Sequence, residues 1–117
     1  MTSMSQTSAF EMKVGLRVEN MAHILFPGSE VIWSRYESFA PKRSSTQQVV
    51  GIRNRLCLSF EEFSDKTAEV WAGGVAIGAK NPQQKVLKCI IKTDENSLIG
   101  WLSLVCKYIG KEAPDEA

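Results

Sequence analysis

Asp94-Glu-Asn-Ser-Leu-Ile-Gly-Trp-Leu-Ser-Leu-Val-Cys-Lys-Tyr-Ile109 is the passage whose period is least ambiguous. Leu98, Trp101, Leu102, Val105 and Ile109 recur at i, i+3 and i+4 spacing, the signature of one apolar helix face. Thr93 and Asp94 are good N-cap types, Glu95 suits the positive first turn, Lys107 suits the last turn, and Gly110 is placed to end the helix. At 100° steps the apolar residues fill about half the circumference, with Leu104 outside the arc. Gly100 and Ser103 occupy the rest of the strip with Lys107. A helix of this kind either lies in the groove of a curved sheet or packs partly on a second copy. Gly100, Ser103 and Leu104 are therefore the candidate contact of a homodimer.

Upstream of this helix the period shortens to two. Phe10, Met12, Val14, Leu16 and Val18 alternate with Glu11, Lys13, Gly15 and Arg17, which predicts a half-buried strand over 10–18. His23-Ile-Leu-Phe26 is a short apolar piece, either one helical turn or a short strand, before the Pro27-Gly28 turn. Val31–Phe39 is rich in aromatic and β-branched residues and predicts a second strand. Ala40–Thr46 is a basic polar loop. A long alternation runs from Gln47 to Phe60, with Asn54 on its inward side marking a bulge or bend. Glu61–Lys66 is a polar turn, Thr67–Ala79 a fourth strand with one face of small residues, and Lys85–Thr93 a fifth. The expected architecture is α+β. A curved antiparallel sheet of five to seven strands carries one C-terminal amphipathic helix on one face. It forms a single domain over residues 10–110, between a flexible arm at 1–9 and a polar tail at 111–117.

At 117 residues the chain can bury a sizeable core without a metal or a disulfide. Its 44% apolar and 23% charged residues are ordinary for a globular domain. No apolar run is long enough to span a bilayer, and the polar N-terminus lacks a targeting core. Cys57, Cys89 and Cys106 are odd in number, widely spaced and flanked by apolar residues, so all three are expected in the core of a protein from a reducing, cytoplasmic compartment.

Little in the chain points to catalysis. Gly73-Gly-Val-Ala-Ile-Gly78-Ala-Lys80 has the look of a phosphate loop, but the lysine falls one place late and Asn81-Pro82 blocks the helix that must follow. His23, the one histidine, stands in an apolar patch and reads as a structural residue. Glu61, Glu62 and Asp65 read as a solvated turn, not as a paired acid and base. No Cys/His spacing suits zinc. The expectation is a non-enzyme with no cofactor and no metal.

The net charge of +1 is unevenly spread. Residues 1–60 hold seven basic and four acidic residues, and residues 61–117 hold seven and nine. All five arginines lie in the first half, and guanidinium forks match phosphate oxygens better than ammonium groups do. Arg53 and Arg55 share one side of a strand, Lys42 and Arg43 lie in the preceding loop, and Arg35 lies between Trp33 and Tyr36. Pairing of the two strands as a hairpin would gather cations and stacking aromatics on one side, a surface for single-stranded nucleic acid or RNA. The alternative is a protein-interaction or self-assembling module, with the helix and the glycine-rich strand as contact surfaces.

Ile90-Ile-Lys-Thr-Asp-Glu-Asn-Ser-Leu-Ile-Gly-Trp101-Leu-Ser-Leu-Val resembles the close of a pleckstrin-homology domain, where the last strand leads into a capped helix with a Trp in its second turn. The resemblance covers that strand and helix alone. Arg53-Asn-Arg55 is similar to that family's basic head-group motif but lies in a different strand, so no function is carried over.

Overall fold

The structure, a computed structural model, describes residues 7–39, 43–80 and 84–109. Lys42, with the middle of the basic loop, and Gly110, with the tail, lie outside the described residues. The elements follow the order α1 (Ala9–Leu25), β1 (Val31–Phe39), β2 (Ser44–Ile52), β3 (Leu56–Phe63), β4 (Thr67–Gly73), a short 3-10 turn (Val75–Ile77), β5 (Lys85–Lys92) and α2 (Glu95–Tyr108). The five strands form one antiparallel meander in the order β1-β2-β3-β4-β5. The α+β class, the antiparallel sheet and the C-terminal helix are as the sequence predicts. Asp94 caps α2 by accepting from the Ser97 backbone N–H at 2.8 Å.

The first element differs. Residues 9–25 form a helix, not a strand over 10–18. Phe10, Val14 and Val18 satisfy period two and also the i, i+4 helical row. Met21 and Ala22 continue that row, and all five are buried. Met12 and Leu16, which the alternation places inward, fall on the opposite side of the helix and are 65% and 72% exposed. A capping box decides the conformation locally. The Ser8 hydroxyl accepts from the Glu11 N–H at 3.0 Å, and the Glu11 carboxylate accepts from the Ser8 N–H at 3.1 Å. The described residues therefore form two α-helices rather than one. The His23–Phe26 piece is the end of α1 and its cap, and His23 is exposed on the last turn instead of being enclosed.

The long alternation from Gln47 also divides. Asn54 adopts φ +55°, and the Arg55 N–H donates to the Ile52 carbonyl at 2.8 Å, which turns the chain back on itself between β2 and β3. A left-handed φ is one that asparagine tolerates well. The fourth strand ends at Gly73 rather than at Ala79, where the glycine-rich run lifts into the 3-10 turn.

Strand register separates the two faces of the sheet. Trp33, Val50, Leu58 and Ala72 are paired across β1 to β4 and face the helices. Val50, Leu58, Phe60, Val70 and Ala72 are completely buried there with Val14, Val18, Leu98 and Val105. Each large aliphatic side chain so buried stabilises the fold by roughly 1.5–3 kcal/mol. Both helices cover this one face. Glu11 of α1 reaches Arg35 of β1 and Arg17 of α1 reaches Glu95 of α2. Among the described residues no helix lies on the other face of the sheet.

Candidate functional site

The uncovered face is not uniform. Toward the start of β2 it is polar, with Ser45 donating to Glu61 at 2.7 Å and Gln47 donating to Ser59 at 2.9 Å. Toward the β2–β3 turn it becomes apolar and concave. Ile32, Gly51, Cys57 and Gly73 are paired in one register row across β1 to β4, and three of these four residues are small. The next row holds Ser34, Val49, Ser59 and Trp71. From these two rows Ile32, Ser34, Val49, Gly51 and Cys57 line a trough across β1, β2 and β3, while the Gln84 backbone carbonyl fills the space above Gly73. Gly51 leaves its floor open: a Cβ there would meet nothing within 4 Å.

The loop after β4 and the β2–β3 turn wall this trough together. The Ala76 N–H donates to the Arg55 carbonyl at 2.8 Å. Gly74, at φ +111°, lets the two backbones approach so closely that an added Cβ would stand 2.5 Å from the Arg55 carbonyl oxygen. Only glycine accepts both that φ and that approach. The open groove measures about 700 Å3, within the range of small-molecule sites, roughly 300–1,000 Å3. Its walls bring three cations, Arg53, Arg55 and Lys80, to an otherwise mainly apolar lining, and none of its described lining residues is acidic. Arg55 is held over the Phe26 ring, 5.4 Å from its centroid.

Cys57 is half-buried in the floor, and burial pushes its thiol pKa up, so it is a poor nucleophile. Cys89 and Cys106 are exposed, contrary to the expectation that all three cysteines pack in the core. Among the described residues no three His, Cys, Asp or Glu side chains gather where they could hold a metal ion. His23 and Glu19 border a separate cleft of about 250 Å3 beside Gly28 at the end of α1.

Lys42 lies outside the described residues, and the structure distributes the other six candidate nucleic-acid residues over several surfaces. Arg35 lies on the helix-covered face, paired to Glu11 at 2.7 Å and to Glu37 at 3.0 Å. Trp33 lies on the same face and donates its indole N–H to Glu19. Arg43 stacks on Phe63, 3.6 Å from the ring centroid, and bonds Asp65 at 3.1 Å. Tyr36 is on the uncovered face and 57% exposed. Arg43 precedes β2 and Arg53 follows it, so the whole nine-residue strand separates them, about 30 Å at ~3.3 Å per residue. Arg53 and Arg55 do fall together, at a turn rather than along a strand. Sequence reading missed Lys80, Gly51 and Gly74, because only the β2–β3 turn and the strand register bring them to one place. On α2, Gly100, Ser103 and Leu104 all face solvent, Leu104 being 38% exposed. Among the described residues no helix is long and apolar enough to cross a membrane. No family model matches the chain, and comparison with the curated proteins and with the solved structures finds no match either.

Proposed function

We propose that this chain is a non-catalytic binding protein whose site is the trough on the uncovered face of the sheet. Its ligand is an amphiphile, an apolar body ending in a carboxylate or phosphate. One observation carries the reading: the cross-strand pair Gly51 and Cys57 shares one groove lining with Arg53, Arg55 and Lys80, and no described lining residue is acidic. Apolar walls hold such a body by excluding water, and a few converging polar groups fix its orientation. Guanidinium forks pair with a two-oxygen anion bidentately. The reading keeps the anion chemistry expected of the arginines but gives it to Arg53 and Arg55, which line the trough, not to Arg35 and Arg43, which lie outside it.

Cys57 supplies a reporter inside the site. Its rate of alkylation is measured with dodecanoate, dodecanol or dodecyltrimethylammonium present below micellar concentration. Dodecanoate is expected to protect Cys57 selectively, leaving Cys89 and Cys106 reactive. Arg53→Ala with Arg55→Ala should weaken dodecanoate about tenfold or more, as the loss of one charge-assisted hydrogen bond implies, and leave dodecanol unchanged. If none of the three probes alters Cys57 alkylation, the reading is wrong. A salt-titrated single-stranded RNA oligonucleotide, run on the same variants, tests the nucleic-acid alternative. RNA affinity that falls steeply with salt and depends on Arg53 and Arg55, beside inert dodecanoate, would favour that alternative.

A further inference from the structure

The two edges of the sheet are unlike. β5 carries Lys85, Lys88 and Lys92, and its pairing with β4 shifts register between Ala72 and Gly73. Lysines and irregular pairing are the usual protection of an edge against another strand. β1 has neither. Its nine residues contain no lysine, proline or glycine, and all nine pair with β2 without a shift. The Arg53 N–H donates to the Glu30 carbonyl at 3.0 Å just before β1, which sets the alternation of the ladder. Odd-numbered residues from Val31 to Phe39 therefore turn their backbone N–H and C=O groups away from β2, toward the open edge.

We propose that β1 pairs with β1 of a second copy of this chain, antiparallel about a two-fold axis through Tyr36. In that register the strand is complementary to itself. Arg35 faces the partner's Glu37, Trp33 faces the partner's Phe39, and Ser34 faces the partner's Ser38. Phe39 is 73% exposed and Tyr36 57% exposed in the single chain. Opposite charges and aromatic pairs directly across a ladder are the favourable cases. α1 adds to the same edge. Glu11, Gly15 and Glu19 form one i, i+4 row, whose two glutamates reach down to Arg35 and Trp33 of β1. Met12 and Leu16 stand in the row next to it and are the most exposed apolar side chains of that part of the helix. The two sheets become one of ten strands, with both troughs on the same side of it.

Mass in solution tests this directly. Sedimentation velocity over a concentration series should show a reversible dimer, and Tyr36→Lys, which sets two like charges on the axis, should weaken it about tenfold or more. Residues facing each other at a non-hydrogen-bonded position have Cα atoms about 4.5 Å apart, within disulfide reach. Tyr36→Cys, in a background with Cys89→Ser and Cys106→Ser, should therefore oxidise to a covalent dimer, while Ile90→Cys on the opposite edge should not. A wild-type chain that stays monomeric overturns the proposal. So does a dimer that survives Tyr36→Lys and dissociates with Leu104→Lys, which would place the contact on α2. Neither result bears on ligand protection of Cys57.

Discussion

Glu11 is 4% exposed and meets the half-exposed Arg35 guanidinium through two oxygens, at 2.7 and 3.3 Å. The same carboxylate closes the capping box at Ser8. One side chain thus starts α1 and ties it to β1. The two partners are not equivalent. Arg35→Met leaves a buried carboxylate without its main counter-charge, whereas Glu11→Gln keeps the cap and leaves Arg35 beside Glu37 and water. Arg35→Met is expected to cost about 2–3 kcal/mol and Glu11→Gln about half of that, after allowing for the exposure of Arg35. Urea unfolding of the two variants decides it, and equal losses would mean that the ion pair adds little beyond the cap.

The helical reading of residues 9–25 has its own test. Val14 is fully buried and Leu16 is 72% exposed, although both stand on the same side of a period-two alternation. Val14→Ala should destabilise the fold by about 2 kcal/mol and Leu16→Ala by less than about 0.5. A strand over 10–18 would make the two losses comparable. Backbone chemical shifts over residues 9–25 give an independent check.

That segment shows where sequence reading stops. Period two and period 3.6 share positions 10, 14 and 18, so three of the five apolar residues fit either. The deciding signals were present but short: Ser8-x-x-Glu11, and the continuation to Met21 and Ala22. α2 was legible because Leu98, Trp101, Leu102 and Val105 fit no strand and its caps are strong. The trough was not legible. Ile32, Gly51 and Cys57 come from three different strands, and only the register of two strand pairs aligns them. Arg53 and Arg55 could be named from composition. Their separation from Arg35 follows from which sheet face each residue occupies, and a one-residue change in phase would have reversed it; their separation from Arg43 follows from the length of β2.

Acid should loosen α2 first. The Ser97 backbone N–H and hydroxyl hold the Asp94 carboxyl below its usual range, and the Arg17 guanidinium does the same for Glu95. Both groups have folded pKa values below their unfolded ones, so their stabilisation is complete above the unfolded value of about 4. It is lost as pH falls through the folded values. Asp94→Asn keeps a good cap without a titrating group. The variant should therefore lose less stability than wild type between about pH 5 and pH 3, followed by thermal unfolding. Identical pH profiles would show that Asp94 contributes as a hydrogen-bond acceptor irrespective of charge.

Gly51 and Gly74 make opposite demands on the same wall. Gly74→Ala forces a Cβ to within 2.5 Å of the Arg55 carbonyl at a φ of +111°. Backbone must move, since the obstacle is a carbonyl and not a flexible side chain, and the expected loss is about 2 kcal/mol or more. Gly51→Ala enters open space on an ordinary strand residue, so its cost should lie within about 0.5 kcal/mol. Binding should sort them the other way. Gly51→Leu raises the trough floor from a Cβ position that is open and should abolish the protection of Cys57 by dodecanoate while the unfolding midpoint stays near wild type. Gly74→Ala keeps the floor and disturbs the wall that carries Arg55, so what survives of its binding should be weaker for dodecanoate and little changed for dodecanol. If Gly51→Leu binds as wild type does, the ligand does not lie along the small-residue row, even where Arg53 and Arg55 prove to matter.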